Sequence, residues 1–281
     1  MYTPLTTSCS PLATYHSPLA TYHSPLATCN SPLATIFLAL SMPRYFIEVS
    51  YKGTAYSGFQ VQQNANSIQA EIEKAMLIYY KKGFELTGSS RTDAGVHALQ
   101  NFFHFDADTD IVDASYQLNA ILPADIVIKK IFPVADDAHC RFDARSREYH
   151  YYTYDSKNPF IADRAYYFPY TLNVEAMHIA ATEIMNHHDF TSFSKRNTQV
   201  KTFDCNIMQS EWIREADGLM YKVKGNRFLR GMVKGLVGTM LQVGRGKLSI
   251  DQFTDIIISK DCSRADFSPA SHGLFLFAVG F

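Results

Sequence analysis

The sequence carries no excess of either charge: 26 Lys and Arg stand against 27 Asp and Glu, a formal net charge of −1 over 281 residues. The balance excludes a uniformly basic surface and an acidic solvating chain, so any contact with a polyanion must come from local clustering. Cysteine is sparse. Cys9, Cys29, Cys140, Cys205 and Cys262 are odd in number, far apart and never spaced C-x-x-C, so neither a disulfide framework nor a zinc knuckle is predicted. Reduced thiols and a cytoplasmic location are expected. The apolar run at 34–40 is far short of the roughly 20 residues that span a bilayer, so no membrane span is predicted. Neither G-x-x-x-x-G-K-[ST] nor a strand followed by G-x-G-x-x-G occurs, which leaves nucleotide cofactors without support. His97 and His104 lack the Cys or carboxylate spacing of zinc sites, and no metal is predicted.

What is present describes a globular protein, 47% apolar and 19% charged, long enough for one large domain or two smaller ones. Residues 1–41 differ from the rest. A seven-residue unit beginning Ser-Pro-Leu-Ala-Thr recurs from Ser10, Ser17, Ser24 and Ser31, with no charged side chain before Arg44. A proline in each unit interrupts any helix, so this low-complexity stretch is expected to be disordered, or to be read from upstream of a true start at Met42. A secretory signal would need a positively charged leader, which is lacking.

From Pro43 onward the pattern is regular. Residues 44–51 alternate as a strand, 53–58 form a turn-rich loop, and Asn66 with Gln69 is a capping-box-like start for a helix carrying Ile68, Ile72, Ala75, Met76 and Tyr79. Strands at 84–87 and 99–105 flank a polar loop at 88–95. A helix at 114–122 and a strand at 125–132 complete a β-α-β-β-α-β half. The second half repeats the theme: strand 147–154, helix 174–186, a hairpin of 205–213 and 220–224 turning at Asp217-Gly218, helices 228–243 and 250–259, the latter capped by Ser249 with Gln252, and a last strand at 274–279. The fold class predicted is α+β, two ferredoxin-like halves at 42–145 and 146–281, each an antiparallel sheet backed by helices.

Three features could carry chemistry. The loop from Gly88 to His97 holds Asp93 beside Arg91 and several hydroxyls; a neighbouring guanidinium favours the charged carboxylate, which suits a nucleophile better than a proton donor. Asp93 capping a turn beside a solvated Arg91 is the structural alternative. Arg227, Arg230 and Lys234, spaced three and four apart, fall on one face of the predicted helix, and 222–247 contains no acid, a local footprint for phosphates. Lys234 sits among Met232, Val233, Leu236 and Val237, so its ammonium needs a buried partner, for which Asp93 is the candidate. The strand carrying Tyr149, His150, Tyr151, Tyr152 and Tyr154 is flanked by Arg145 and Arg147. Strand tyrosines usually pack, but beside an arginine-rich surface they also stack on RNA bases.

The segment 88–98, GSSRTDAGVHA, resembles the R-T-D-A-G-V-H-A signature of the TruA family of tRNA pseudouridine synthases. The likeness continues in GTAYSGFQ from Gly53, LNAILPADI from Leu118, REYHY from Arg147, DFTSF from Asp189, GNRFLRGMVK from Gly225 and HGLFL from His272, in order over nearly everything after Met42. It implies the pseudouridine synthase fold, two RNP-like halves around a central cleft, in an enzyme that isomerises uridine at positions 38, 39 and 40 of the tRNA anticodon stem-loop without a cofactor. The resemblance makes Asp93 the catalytic carboxylate, Tyr149 the residue stacking on the flipped uracil, and Arg91 the one supporting base extrusion. It also implies a homodimer with tRNA held across both subunits. Three positions depart from the family pattern. Lys234 stands where an arginine pairs with the catalytic Asp, Lys52 where Asp is frequent, and Phe59 where Trp is frequent; the latter two are expected to affect only local loop contacts.

Overall fold

In the computed structural model, residues 42–196 and 200–281 are described. The expectations for the repeat at 1–41 lie outside the described residues.

Apolar side chains set the strands, in alternation at 126–129 and as a continuous buried run at 101–105. β1 (Arg44–Tyr51), β3 (His97–Asp106) and β4 (Ile126–Val134) pair antiparallel in the order β4-β1-β3, with the short β2 (Thr87–Gly88) added to β3. In the second half, β5 (Ser146–Tyr154), β7 (Ile207–Arg214), β8 (Gly218–Gly225) and β9 (Leu274–Gly280) pair antiparallel in the order β9-β5-β8-β7, and β6 (Tyr166–Tyr167) runs parallel to β5. The chain is α+β as predicted. The two antiparallel sets nevertheless form one continuous sheet, because the last strand, β9, lies parallel to β3 through His97 opposite Phe275 and Ala98 opposite Leu276. Residues nearly 180 apart in sequence thereby meet at the end of the polar loop.

The helices follow local rules. α1 (Ile68–Tyr80) buries Ile68, Ile72, Ala75 and Met76 and ends at Lys81 in the left-handed region. Its cap is Ser67, whose hydroxyl accepts from the Ala70 N–H, one residue after the predicted Asn66. Gln69 instead donates to Glu73 and to the Leu86 carbonyl, tying α1 to the strand that leads into the polar loop. α2 (Ser115–Ile121) and α3 (Val174–Glu183) match their predicted positions, and α5 (Ile250–Ser259) carries the Ser249–Gln252 capping box. The helix predicted from 228 begins later, as α4 (Met232–Gly244), because Gly231 takes φ +76°, outside helical space, and stops propagation toward the N-terminus. Arg227 and Arg230 therefore lie in the connection before α4 and not on a helix face with Lys234.

Along β5 and β8, Tyr149, Tyr151, Tyr221 and Val223 are buried. The opposite parity places His150 against Phe277 in a stack at 4.0 Å and leaves Phe277, Leu99 and Val127 about two-fifths exposed. Near Leu99, a cavity of about 340 Å³ is lined by Tyr152, Ile161, Arg164, Glu215 and Phe275, and no residue of the polar loop reaches it. Among the described residues, no helix is long and apolar enough to cross a membrane.

Candidate active site

The polar loop between β2 and β3 is held from below by a buried hydrogen-bond network. Asn101, fully buried on β3, donates from its amide to the Ser90 carbonyl at 2.8 Å and to the Tyr51 hydroxyl at 3.2 Å. That donation leaves the Tyr51 proton for the Thr92 hydroxyl, 2.8 Å away. The Thr92 carbonyl accepts from the Phe59 N–H at 3.1 Å, and the Val96 N–H closes a turn on the Asp93 carbonyl at 3.2 Å. Asp93 is thus flanked by residues anchored on β1, β3 and Phe59, just after the 53–58 loop. Phe59, expected to be a loop contact only, is 1% exposed and stacks on Phe103 at 4.4 Å, forming the floor of the loop.

His97 locks the far end. The Gly53 N–H donates to its Nδ1 at 3.0 Å, so Nδ1 carries no proton and Nε2 donates to the His272 carbonyl at 3.0 Å. Burial holds the His97 pKa below its ordinary value, which favours this neutral form. Only glycine fits position 53, where a Cβ would lie 2.0 Å from the Val96 carbonyl oxygen. The His272 ring passes the chain on to the Ala165 carbonyl at 3.1 Å, so three distant segments are coupled through two imidazoles. Neither histidine belongs to a metal-binding group, and no cluster of three or more His, Cys, Asp or Glu suited to a metal occurs among the described residues.

Around the Asp93 carboxylate the cations arrange themselves differently from the prediction. Arg230 Nε lies 3.7 Å from Asp93 Oδ1. Lys234, predicted to pair with Asp93, directs its ammonium to the Ser271 hydroxyl at 3.4 Å, although it remains within the electrostatic field of Asp93. The reason is geometric: Lys234 rises from the first turn of the buried helix α4, whereas Arg230 reaches from the connection before Gly231. Burial first, and then Lys195, lowers the Lys234 pKa, while Asp93 raises it. Tyr149 lies on β5, its ring edge against Phe228 at 5.0 Å. Burial pushes its phenol up to about 12, with Arg147 opposing and the Asp93 charge adding to the rise. The phenol is therefore protonated at neutral pH. Arg91 is exposed beside Asp93.

Other members of the predicted basic surface turn away. Arg147 spends its donors on the carbonyls of Ala144, Asn226 and Arg141 at 2.8, 3.0 and 2.7 Å and meets the Ser90 hydroxyl at 3.5 Å, so it braces the loop. Lys222 pairs with Glu148 at 3.6 Å, and Arg245 lies 3.8 Å over the Tyr170 ring. Lys52 forms an ion pair with Asp163. The residues that sequence reasoning missed are Tyr51 and Asn101; an asparagine inside the apolar strand segment NFFHF was the available signal for the second, whereas Arg147 was read as surface and proves to be a brace.

The family described as tRNA pseudouridine synthase matches residues 47–143 and 180–281. The tRNA pseudouridine synthase A of Parabacteroides distasonis is 44% identical over 241 residues, 85% of this chain and 96% of the relative. The protein of the same name from Porphyromonas gingivalis is 43% identical, covering 85% and 97%, and that from Staphylococcus aureus is 35% identical, covering 83% and 89%. A buried network that presents one carboxylate among cations, in a sequence matched over most of its length, leads to one assignment: the chain belongs to the tRNA pseudouridine synthase family.

Proposed function

We propose that this protein isomerises uridine to pseudouridine in tRNA, at positions 38 to 40 of the anticodon stem-loop, with Asp93 as the catalytic carboxylate and without a cofactor. The observation that carries this reading is the Asp93–Arg230 pair beside Tyr149, on a loop held by buried hydrogen bonds, in a member of this family. The chemistry is self-contained. The bond from the sugar anomeric carbon to N1 breaks, a bond from the same carbon to C5 forms, C5 loses a proton and N1 gains one. Substrate and product have the same atoms, so no group donor or redox partner enters the balance. Asp93 attacks the anomeric carbon or the uracil ring, or stabilises a glycal; each route needs a carboxylate fixed in place. Arg230 and Lys234 supply the opposing charge, Tyr149 stacks as a neutral phenol on the extruded base, and Arg91 supports the vacated position in the stem-loop, where extrusion costs a few kcal/mol.

We also infer that residues 42–145 and 146–281 act as two halves with the substrate between them, that the protein is cytoplasmic, and that it is a homodimer. Exposed Leu99, Val127 and Phe277 supply apolar surface for the dimer. Light scattering at micromolar concentration tests it; a monomer would refute it.

The central experiment maps pseudouridine in unmodified tRNA transcripts after incubation with wild type or Asp93→Asn, with no added cofactor. Conversion in the anticodon stem-loop by wild type alone is expected. Conversion by Asp93→Asn would remove the carboxylate from its role, and a wild type that binds tRNA without converting it would make the protein a binding module.

A further inference from the structure

Lys195 follows the short 3-10 turn Thr191–Phe193 and reaches the site from a segment to which neither the loop nor the connection before α4 contributes. Its backbone N–H donates to the Arg230 carbonyl at 3.1 Å, fixing the two cationic residues side by side. Its aliphatic stem crosses Gly231 so closely that a Cβ there would stand 3.0–3.3 Å from its Cγ, Cδ and Cε. The left-handed glycine that starts α4 thus also opens the path for this side chain.

The charge count is unbalanced. Arg230 stands 3.7 Å from Asp93 and Lys234 lies within the field of the same carboxylate, while Lys195, bonded to the Arg230 carbonyl and crossing Gly231, adds a further cation to the group. Among the described residues, neither Lys195 nor Lys234 is within ion-pair distance of any carboxylate. After burial, the positive charge of Lys195 lowers the Lys234 pKa, the sign of repulsion between like charges. A lysine kept half-buried beside another, without an acid of its own, is poorly explained by stability alone. An anion arriving between them would relieve the repulsion, and a compact ammonium with three donors suits the non-bridging oxygens of a phosphodiester.

We propose that Lys195 is a substrate-binding residue that, together with Lys234, holds a backbone phosphate of the RNA strand next to the nucleotide presented to Asp93. The inference rests on the RNA-isomerase reading above and adds to it the residue that positions the strand. It also explains why a chain of net charge −1 needs no broad basic face at this point: the attraction is concentrated where the strand must be held.

The test compares wild type with Lys195→Gln and Lys195→Arg, measuring isomerisation of unmodified tRNA transcripts and, in parallel, equilibrium tRNA binding across a salt series. Lys195→Gln should raise KM and Kd about ten-fold, with kcat falling less than about two-fold, as expected for loss of one charged contact. The slope of log Kd against log salt should shrink by about 0.7 to 0.9, the value for one phosphate. Lys195→Arg should restore most of the binding. An unchanged salt slope in Lys195→Gln, or a loss confined to kcat that arginine does not rescue, overturns the proposal. If wild type binds tRNA but does not isomerise it, the functional reading fails while the salt slope still judges Lys195; if wild type does not bind tRNA, both fall.

Discussion

Replacing Asn101 by alanine isolates the support beneath the Asp93 loop. The side chain is fully buried and makes the two amide bonds described above, to the Ser90 carbonyl and the Tyr51 hydroxyl. Truncation orphans the buried Ser90 carbonyl at a cost of about 1–3 kcal/mol, while Tyr51 keeps its bond to Thr92. The small void adds about 1 kcal/mol. A total of about 2–4 kcal/mol corresponds to a Tm lower by roughly 5–15 °C in a chain of this size. Freed of its anchor, the loop lets Asp93 drift from Arg230, and a displacement near 1 Å is enough to cost about 100-fold in kcat. Scanning calorimetry gives the first quantity, and single-turnover conversion of tRNA well below the new Tm gives the second. KM should hardly move, because Arg230, Lys234 and Lys195 are untouched. Tyr51→Phe, tested alone and combined with Asn101→Ala, should show coupling of at least about 0.5 kcal/mol, since both lie in one network. A Tm within about 2 °C of wild type, or strictly additive effects, would refute the account of how the loop is held.

Other perturbations follow from the same geometry. Arg230→Gln should lower kcat more than Lys234→Gln does, because Arg230 is the cation within 4 Å of Asp93 and Lys234 is turned to Ser271; the reverse order in steady-state kinetics would restore the pairing predicted from sequence. Gly53→Ala forces a Cβ into the Val96 carbonyl, so a loss above about 3 kcal/mol is expected in urea unfolding, and a near-neutral effect would mean that the loop relaxes freely. Stability should also fall as the pH is lowered. Burial, followed by the charges of His139 and Arg44, lowers the His104 pKa to about 4, and burial lowers that of His97, while in the unfolded chain both titrate near 6.5. Below pH 6.5 the unfolded chain therefore takes up protons that the folded one refuses. The contribution is complete above pH 6.5 and declines toward pH 4, where His104 alone accounts for about 3 kcal/mol. Tm measured from pH 7.5 to 4.5 should drop, less steeply in His104→Asn; equal slopes would show that other groups govern acid sensitivity.

Legibility differed by feature. The Ser249–Gln252 capping box, the bounds of α5 and the alternation of β1 and β5 were readable because each depends on neighbours within a few residues. Asp93 and Arg91 stood out because a polar loop rich in glycine and hydroxyls lay between two apolar strands. The basic segment was misread in part. Spacing placed Arg227, Arg230 and Lys234 on one helix, but Gly231 starts the helix after the first two. Lys222, Arg245 and Arg147 counted equally toward a cationic surface until Glu148, the Tyr170 ring and a set of carbonyls were found to occupy them. Phe59 read as a loop residue, since nothing local reveals that it rests on Phe103.

By itself, then, the sequence determined the α+β class, the run of helices and strands, and the loop that carries the carboxylate. These follow from side-chain period, capping and backbone preference, which act over a few residues. Tertiary structure decided that two antiparallel sets become one sheet through β3 and β9, that Arg230 stands at Asp93, that His97 bridges Gly53 to His272, and that Lys195 crosses Gly231 beside Arg230. Those outcomes depend on which distant surfaces pack together, and a side chain finds its partner only after the sheet has set the distances between them.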